Sequence, residues 1–217
     1  FCDLLSRSQL RDIDLVQAHF VSWAIDVGIP LARLLQKPCV VTAHSAIDDT
    51  PTESLQYIQR EADAVILVSD AELDAFAART GSRDKLHRVW NGVPLPPSPA
   101  QADAAKPDRP LRLVCAGRLD PAKRVLDIVE ALPQLAAAGV DCTLTIFGQG
   151  PQRDTLASRI HALGLSDRVQ LAGAVPHAQL MDAFAAADLL VHASALESFG
   201  MVMVEAMARG LPVVSAA

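Results

Sequence analysis

Short apolar runs alternate with longer amphipathic stretches along the 217-residue chain. In the first half, residues 13–18 (with His19 at the end), 38–43, 64–69 and 86–90 read as strands, each closed by small or polar residues. Residues 21–35 are mostly apolar with Gly28-Ile29-Pro30 in their middle, which predicts two short helices. A helix capped by Asp49, Thr50 or Thr52 is expected to end near Ala62, and another to run over residues 71–79 with Gly81 as its stop. The second half repeats the scheme, with strands at residues 111–116, 143–147, 168–171, 188–193 and 211–214. Its helices are expected after Asp120-Pro121 (buried face Val125, Ile128, Val129, Leu132), around Leu156, Ile160 and Leu163 up to Gly164, and over residues 178–186. The last starts near Met201 and stops at Gly210, with Met201, Val204, Met207 and Ala208 at helical spacing. Strands that alternate with helices and stay apolar on both faces predict an α/β fold with parallel sheets covered on both sides.

Composition divides this pattern in two. Residues 94–110 hold six prolines and few large apolar side chains, which predicts a stiff linker between a domain at 1–93 and one at 111–217. Hydrophobic residues at 51% and charged ones at 20% are those of a folded globular chain. A net charge of −6 without a basic, aromatic-rich cluster argues against nucleic acid as a partner. No apolar run reaches the length of a membrane span, and the N-terminus has no signal-peptide pattern. Cys2, Cys39, Cys115 and Cys142 form no C-x-x-C pair, so free thiols in a reducing, cytoplasmic compartment are expected. The chain begins at Phe1 without Met and stops just after an apolar run, as a piece of a longer protein with both domains truncated would.

Candidate chemistry gathers at the ends of expected strands. Glu197 and Glu205 bracket the start of the last helix; if both were helical they would lie ~12 Å apart along the axis and ~80° apart around it. That is too far for a shared proton or one metal ion, and suits the two ends of an extended ligand. Between them, Ser198, Phe199, Gly200 and Met201 offer backbone N–H groups at a helix N-terminus, where phosphate binds well. A nucleotide-sugar fits an anionic middle with hydroxyl-rich ends, although a core helix with a solvated edge is the plainer alternative. Arg118 and Lys123 at the strand–helix junction oppose the helix dipole, which makes sense if an anion binds there; two solvated surface cations are the other reading. Gly148-Gln149-Gly150 is a tight turn that lets the backbone approach a ligand, without the third glycine of a dinucleotide fingerprint. His19 and His44 end strands of the first half, where each can serve hydrogen bonding or proton transfer as well as structure. No H-E-x-x-H, clustered metal ligands or G-x-S-x-G occur, which disfavours metal hydrolysis and serine-esterase chemistry.

Taken together, the E-x7-E pattern of Glu197 and Glu205 within Glu-Ser-Phe-Gly, Gly117-Arg118-Leu119 with Lys123, Asn91-Gly92-Val93, Phe147-Gly148-Gln149-Gly150-Pro151 and Val68-Ser69 resemble the retaining, nucleotide-sugar-dependent glycosyltransferases of family 4. The resemblance runs over nearly the whole chain and implies the GT-B fold of two Rossmann-like domains. It implies that Arg118 and Lys123 hold the donor diphosphate, that Ser198, Phe199, Gly200 and Met201 contact sugar or phosphate, and that Glu197 binds sugar hydroxyls. Glu205 would take the ribose, while Gly148 would line the donor site and Val175 would lie by the base. His44 matches a first-domain histidine that faces the donor sugar, with His19 at a less certain position nearby. Arg124 departs from the family, which commonly has glycine after the lysine. The expected co-substrate is a UDP- or GDP-sugar, with no other cofactor and no obligatory metal, and the acceptor a glycan, a lipid-linked or a small molecule. Exopolysaccharide or other cell-surface synthesis is implied, at the inner face of the membrane where an N-terminal part outside this stretch often provides the contact. The rivals are an epimerase or phosphorylase on the same architecture, and a non-catalytic partner that only binds the nucleotide-sugar.

Overall fold

The structure is a computed structural model that describes residues 12–44, 47, 49–96, 109–195 and 197–216. Cys2, Leu196 and residues 97–108 of the expected linker lie outside them. The chain divides into two compact units, Phe1–Asn91 and Gly92–Ala217, each built on one all-parallel sheet. Among the described residues no helix is long and apolar enough to cross a membrane.

In the first unit, β1 (Val16–His19), β2 (Cys39–Ala43), β3 (Ala64–Leu67) and β4 (Leu86–Arg88) pair in chain order. Parallel neighbours need a crossover, and helices supply it. The first crossover is α1 (Val21–Trp23), a wide turn (Ala24–Gly28) in which the Ile29 N–H reaches the Ala24 carbonyl, and α2 (Ile29–Leu35). These run on without a break, unlike the two separate helices expected. Pro30 falls in the first turn of α2, where its missing N–H does no harm. Gly28 is there for another reason, since a Cβ on it would overlap that of Ala18 in β1. α3 (Thr52–Glu61) follows Pro51, and no side chain caps it, contrary to the expected Asp49, Thr50 or Thr52. α4 (Asp70–Thr80) starts from a cap that the sequence carries openly: Ser69 Oγ accepts the Glu72 N–H at 3.2 Å, and left-handed Gly81 ends it. β1 begins at Val16, not residue 13, because its partner β2 starts only after the chain turns back at Gln36, φ 54°. Val41, Val65 and Leu67 of the sheet pack with Ile29 and Ala32 of α2, Leu55 and Ile58 of α3, and Phe76 of α4.

The second unit holds β5 (Leu111–Ala116), β6 (Cys142–Phe147), β7 (Val169–Gly173), β8 (Leu189–His192) and β9 (Val213–Ser215) in the order β7-β6-β5-β8-β9. Its helices are α5 (Val125–Ala137), α6 (Arg153–Ala162), α7 (His177–Ala186) and α8 (Met201–Ala208). Central β5 shows why the strands lack polar alternation. Leu113 and Cys115 pack with Val125, Ile128 and Val129 of α5 and Leu156 of α6, whereas Val114 and Ala116 pack with Phe184 of α7 and Ala206 of α8. Both faces are covered, so both must be apolar. α8 buries a different face from the one its spacing suggested: Ala206 is buried with Val202 and Met203 against it, while Met201 and Met207 are exposed. Its residues are apolar at nearly every position, so periodicity had no contrast to work with. Asp188, just before β8, fastens the entry of β5: it accepts bonds from Arg109 at 2.6 Å and from the Arg112 N–H at 2.8 Å. Those donors hold its carboxyl well below the ordinary range.

Candidate active site

The chain builds the second sheet outward from β5 through β6 to β7, then returns to lay β8 and β9 on the other side. The order therefore reverses between β5 and β8. In open parallel sheets the crevice outside the carboxyl ends of strands at such a point is where ligands bind. The turn after β5 carries Arg118 and Lys123, the turn after β8 carries Glu197, and the two are bonded together by Ala195 N–H and Ser194 Oγ, both donating to the Ala122 carbonyl.

Asp120 makes the first turn. Its carboxylate accepts the Lys123 N–H at 3.3 Å and Pro121 follows it, as a helix start requires, but the turn it caps is 3₁₀ (Pro121–Lys123). α5 begins only after left-handed Arg124, φ 50°. Lys123 is thus the third residue of this 3₁₀ turn and lies outside α5. The Arg124 backbone explains the glycine expected there, since the left-handed region strains any side chain with a Cβ.

Lys123 Nζ is ion-paired with Glu197 Oε1. The same oxygen lies 2.9 Å from His192 Nε2, and His192, the last residue of β8, is only 5% exposed. The His192 hydrogen bond is the largest cause holding the Glu197 pKa down at about 2; burial opposes it, while Lys123 and Ser194 add to it. Glu197 is therefore ionised at neutral pH, a carboxylate that can only accept hydrogen bonds. Glu197 also lies before α8 rather than in it, so the helical separation from Glu205 does not apply.

Arg118 turns back onto Asp120, Nη2 to Oδ2 at 2.7 Å, with its side chain 82% exposed. Both expected cations thus have a carboxylate partner, and the dipole argument for an anion at this turn loses its force. Glu205, in α8, has its side chain 16% exposed and pairs with His177 Nε2 at 3.0 Å, at the start of α7. α8 itself starts from left-handed Gly200 with no side-chain cap, so its first N–H groups, approached through Ser198 and Phe199, face no protein cap.

Gly148 is needed for contact between two turns: a Cβ on it would overlap the Gly117 carbonyl oxygen, and one on Gly150 would overlap Leu119. The turns are bonded by Gly117 N–H to Phe147 O at 3.0 Å and Leu119 N–H to Gln149 O at 2.9 Å. Together they floor a shallow hollow of about 310 Å³ lined by Arg118, Gly148, Gln149, Val175 and Leu180 among others. Arg118, Gly148 and Val175 are thus brought together, as are Lys123 and Glu197.

The two first-unit histidines also meet. Parallel pairing of β1 and β2 sets His19 Nδ1 2.8 Å from His44 Nε2, with the rings stacked. Burial, and then the charge of His19, lower the His44 pKa. Phe20, between His19 and α1, holds φ 68° and packs its ring 5.2 Å from that of His44. Cys39, Cys115 and Cys142 are buried free thiols, and burial pushes Cys115 up to about 12. Among the described residues no three His, Cys, Asp or Glu side chains could hold a metal ion together.

His192 and His177 were missed in the sequence. His192 carried a readable signal: two residues after Leu190 in a strand, it shares the face on which Leu190 is fully buried. His177, an exposed helix-start residue, carried none.

Comparison with known proteins agrees with this architecture. The chain is 30% identical to the 2-deoxystreptamine glucosyltransferase of Streptomyces kanamyceticus, over 92% of this chain and 58% of that protein. It is 33% identical to the D-inositol 3-phosphate glycosyltransferase of Mycolicibacterium smegmatis, over 94% of this chain and 52% of that one. The chain thus spans little more than half the length of these curated relatives. Among solved structures, Anabaena Alr3699/HepE in complex with UDP-glucose superposes with a TM-score of 0.76 at 26% identity, over 95% of this chain and 60% of that one, and the fold is that of the GT-B enzymes. The model of Glycosyltransferase Family 4 matches residues 3–95, and that of Glycosyl transferases group 1 matches residues 99–217. With more than half of its residues matched by the latter model, the chain belongs to the glycosyl transferases group 1.

Proposed function

We propose that the chain is the donor-binding part, with an acceptor-side part before it, of a retaining glycosyltransferase. It moves a sugar from a UDP- or GDP-sugar to a glycan, lipid-linked or small-molecule acceptor in cell-surface or exopolysaccharide synthesis, on the cytoplasmic side of the membrane and without an obligatory metal. The observation that carries this reading is the ionised Glu197, paired with Lys123, at the point where the second sheet reverses its order. A carboxylate there accepts sugar hydroxyls, while Lys123 and the N-terminus of α8 beside it suit the diphosphate. Lys123 then changes partner from Glu197 to phosphate, and Arg118 from Asp120, so that protein cations and N–H groups take the charge that develops on the departing nucleotide. Glu205 takes the ribose, and the hollow at Gly148 and Val175 takes the base. Family likeness adds His44 as a contact of the donor sugar, with His19 beside it, and the Pro-rich residues 94–110 as the linker.

The test uses the full-length protein. UDP or GDP, each against ADP as control, is expected to raise its melting temperature. Glu197→Ala and Lys123→Ala are expected to abolish transfer without loss of fold, and near-normal turnover in both would defeat the reading. Donor incubated without acceptor separates an epimerase, which alters the sugar and leaves the nucleotide attached.

A further inference from the structure

Glu197 Oε1 has two partners of very different kinds. Lys123 reaches it from a flexible stem whose side chain is 27% exposed. His192 reaches it from a β-strand end, 5% exposed, where the backbone is fixed by pairing with Ser215 and by the Ala216 N–H, which donates to the His192 carbonyl at 2.9 Å. Glu197 itself sits in a turn of no regular structure between β8 and α8. A carboxylate in such a turn keeps one direction only if something rigid holds it, and the Ser194 hydroxyl, which also bonds to Glu197, belongs to the same irregular stretch. His192 occupies a face where Leu190 is fully buried, and an apolar side chain would fill that place without the penalty of a buried imidazole.

We infer that His192 is a positioning residue: its Nε2–H holds Glu197 Oε1 in place when Lys123 leaves for the donor diphosphate, so that the other oxygen stays aimed at the sugar hydroxyls. The inference rests on the reading of Glu197 as the acid at the donor sugar. It requires the Nε2–H tautomer, because the ionised carboxylate can only accept. It also separates two tasks at one carboxylate. Lys123 is the exchangeable partner and answers to phosphate; His192 is the permanent one and answers only to Glu197. Removing His192 therefore leaves nucleotide affinity alone and loosens the acid at the step that needs it.

The test compares His192→Leu and His192→Gln with the wild type in the full-length protein, by kcat and KM for the donor, Kd for UDP or GDP, and melting temperature. For His192→Leu, kcat is expected to fall on the order of tenfold to a hundredfold, the effect of a catalytic group displaced by about an ångström, with nucleotide Kd unchanged within about twofold. Gln, whose side-chain N–H reaches to a similar place, is expected to restore most of kcat. Full kcat in His192→Leu overturns the inference, as does a Gln variant as impaired and as destabilised as Leu, which would mark a purely structural tie. A wild-type protein that neither binds nucleotide nor transfers sugar overturns the proposed function and this inference together; a wild type that transfers, with His192→Leu at full rate, overturns this inference alone.

Discussion

At the scale of single residues, the charge on Glu197 is strongly set by its surroundings. Its pKa is held at about 2 against an ordinary 4.5 by the His192 bond, with Lys123 and Ser194 adding to it. A depressed carboxylate stabilises the fold fully above its unfolded pKa, and that contribution is lost as the pH falls through the folded one. Glu197→Gln is therefore expected to be less stable than wild type at neutral pH and to lose less stability between about pH 4.5 and 2. Melting temperatures of both proteins across that range check it, and parallel curves would speak against it. Arg124 raises the opposite issue, a backbone that its side chain opposes. It holds φ 50° and pairs with Asp127, Nε to Oδ2 at 2.7 Å. The left-handed region costs a residue with a Cβ about 1–2 kcal/mol, partly offset in a glycine variant by the greater freedom of its unfolded chain. Stability by urea unfolding should rank Arg124→Gly at or above wild type and Arg124→Val below it, because β-branching tolerates this conformation least. The sequence hinted at the position through the glycine expected there, but only the backbone angle says why.

At the scale of elements, the crevice edge is shaped by backbone meeting backbone. The turns after β5 and β6 approach so closely that a Cβ on Gly148 would enter the Gly117 carbonyl, at a φ of 136° that favours glycine as well. Gly148→Ala is expected to destabilise the second unit by about 2–4 kcal/mol, through overpacking and strain together. Gly139→Ala is the control: its φ is 80° but nothing lies within 4 Å of the added Cβ, so it should cost only about 1 kcal/mol. Equal effects would mean that conformation, not crowding, decides both. The elements themselves were legible because buried parallel strands are short apolar runs and the helices between them have polar faces; β5 runs over the expected residues 111–116. Legibility failed where contrast failed. α8 is apolar nearly all round, so its buried face could not be chosen. Arg118 and Lys123 looked like bare cations because Asp120 and Glu197, their partners, are respectively a cap and a residue 74 positions away. Pairing of the two histidines likewise depends on a register that brings His19 opposite Thr42, two residues before His44.

At the scale of the whole molecule, the buried thiols report which unit a nucleotide stabilises. Cys39 lies in β2 of the first unit, Cys115 and Cys142 in β5 and β6 of the second, and all three are buried. Buried cysteines react with a thiol reagent only when the surrounding structure opens, so labelling at each one measures the stability of its own neighbourhood. A ligand present at 100 times its Kd stabilises the form that binds it by about 2.7 kcal/mol, which slows labelling of thiols exposed only on losing the site about a hundredfold. If the donor nucleotide is held at the ends of β5 and β8, saturating UDP or GDP should slow Cys115 and Cys142 toward that limit. Cys39 should change far less, since Arg118, Lys123 and the hollow at Gly148 and Val175, the proposed contacts of diphosphate and base, all belong to the second unit. Peptide-resolved labelling of the full-length protein, with and without nucleotide, reads the three sites in one experiment. Equal slowing at all three would place the nucleotide's hold outside the second unit alone. No slowing at Cys115 would remove the nucleotide from β5, because that thiol is the last residue but one of the strand that leads into the turn proposed to grip the diphosphate.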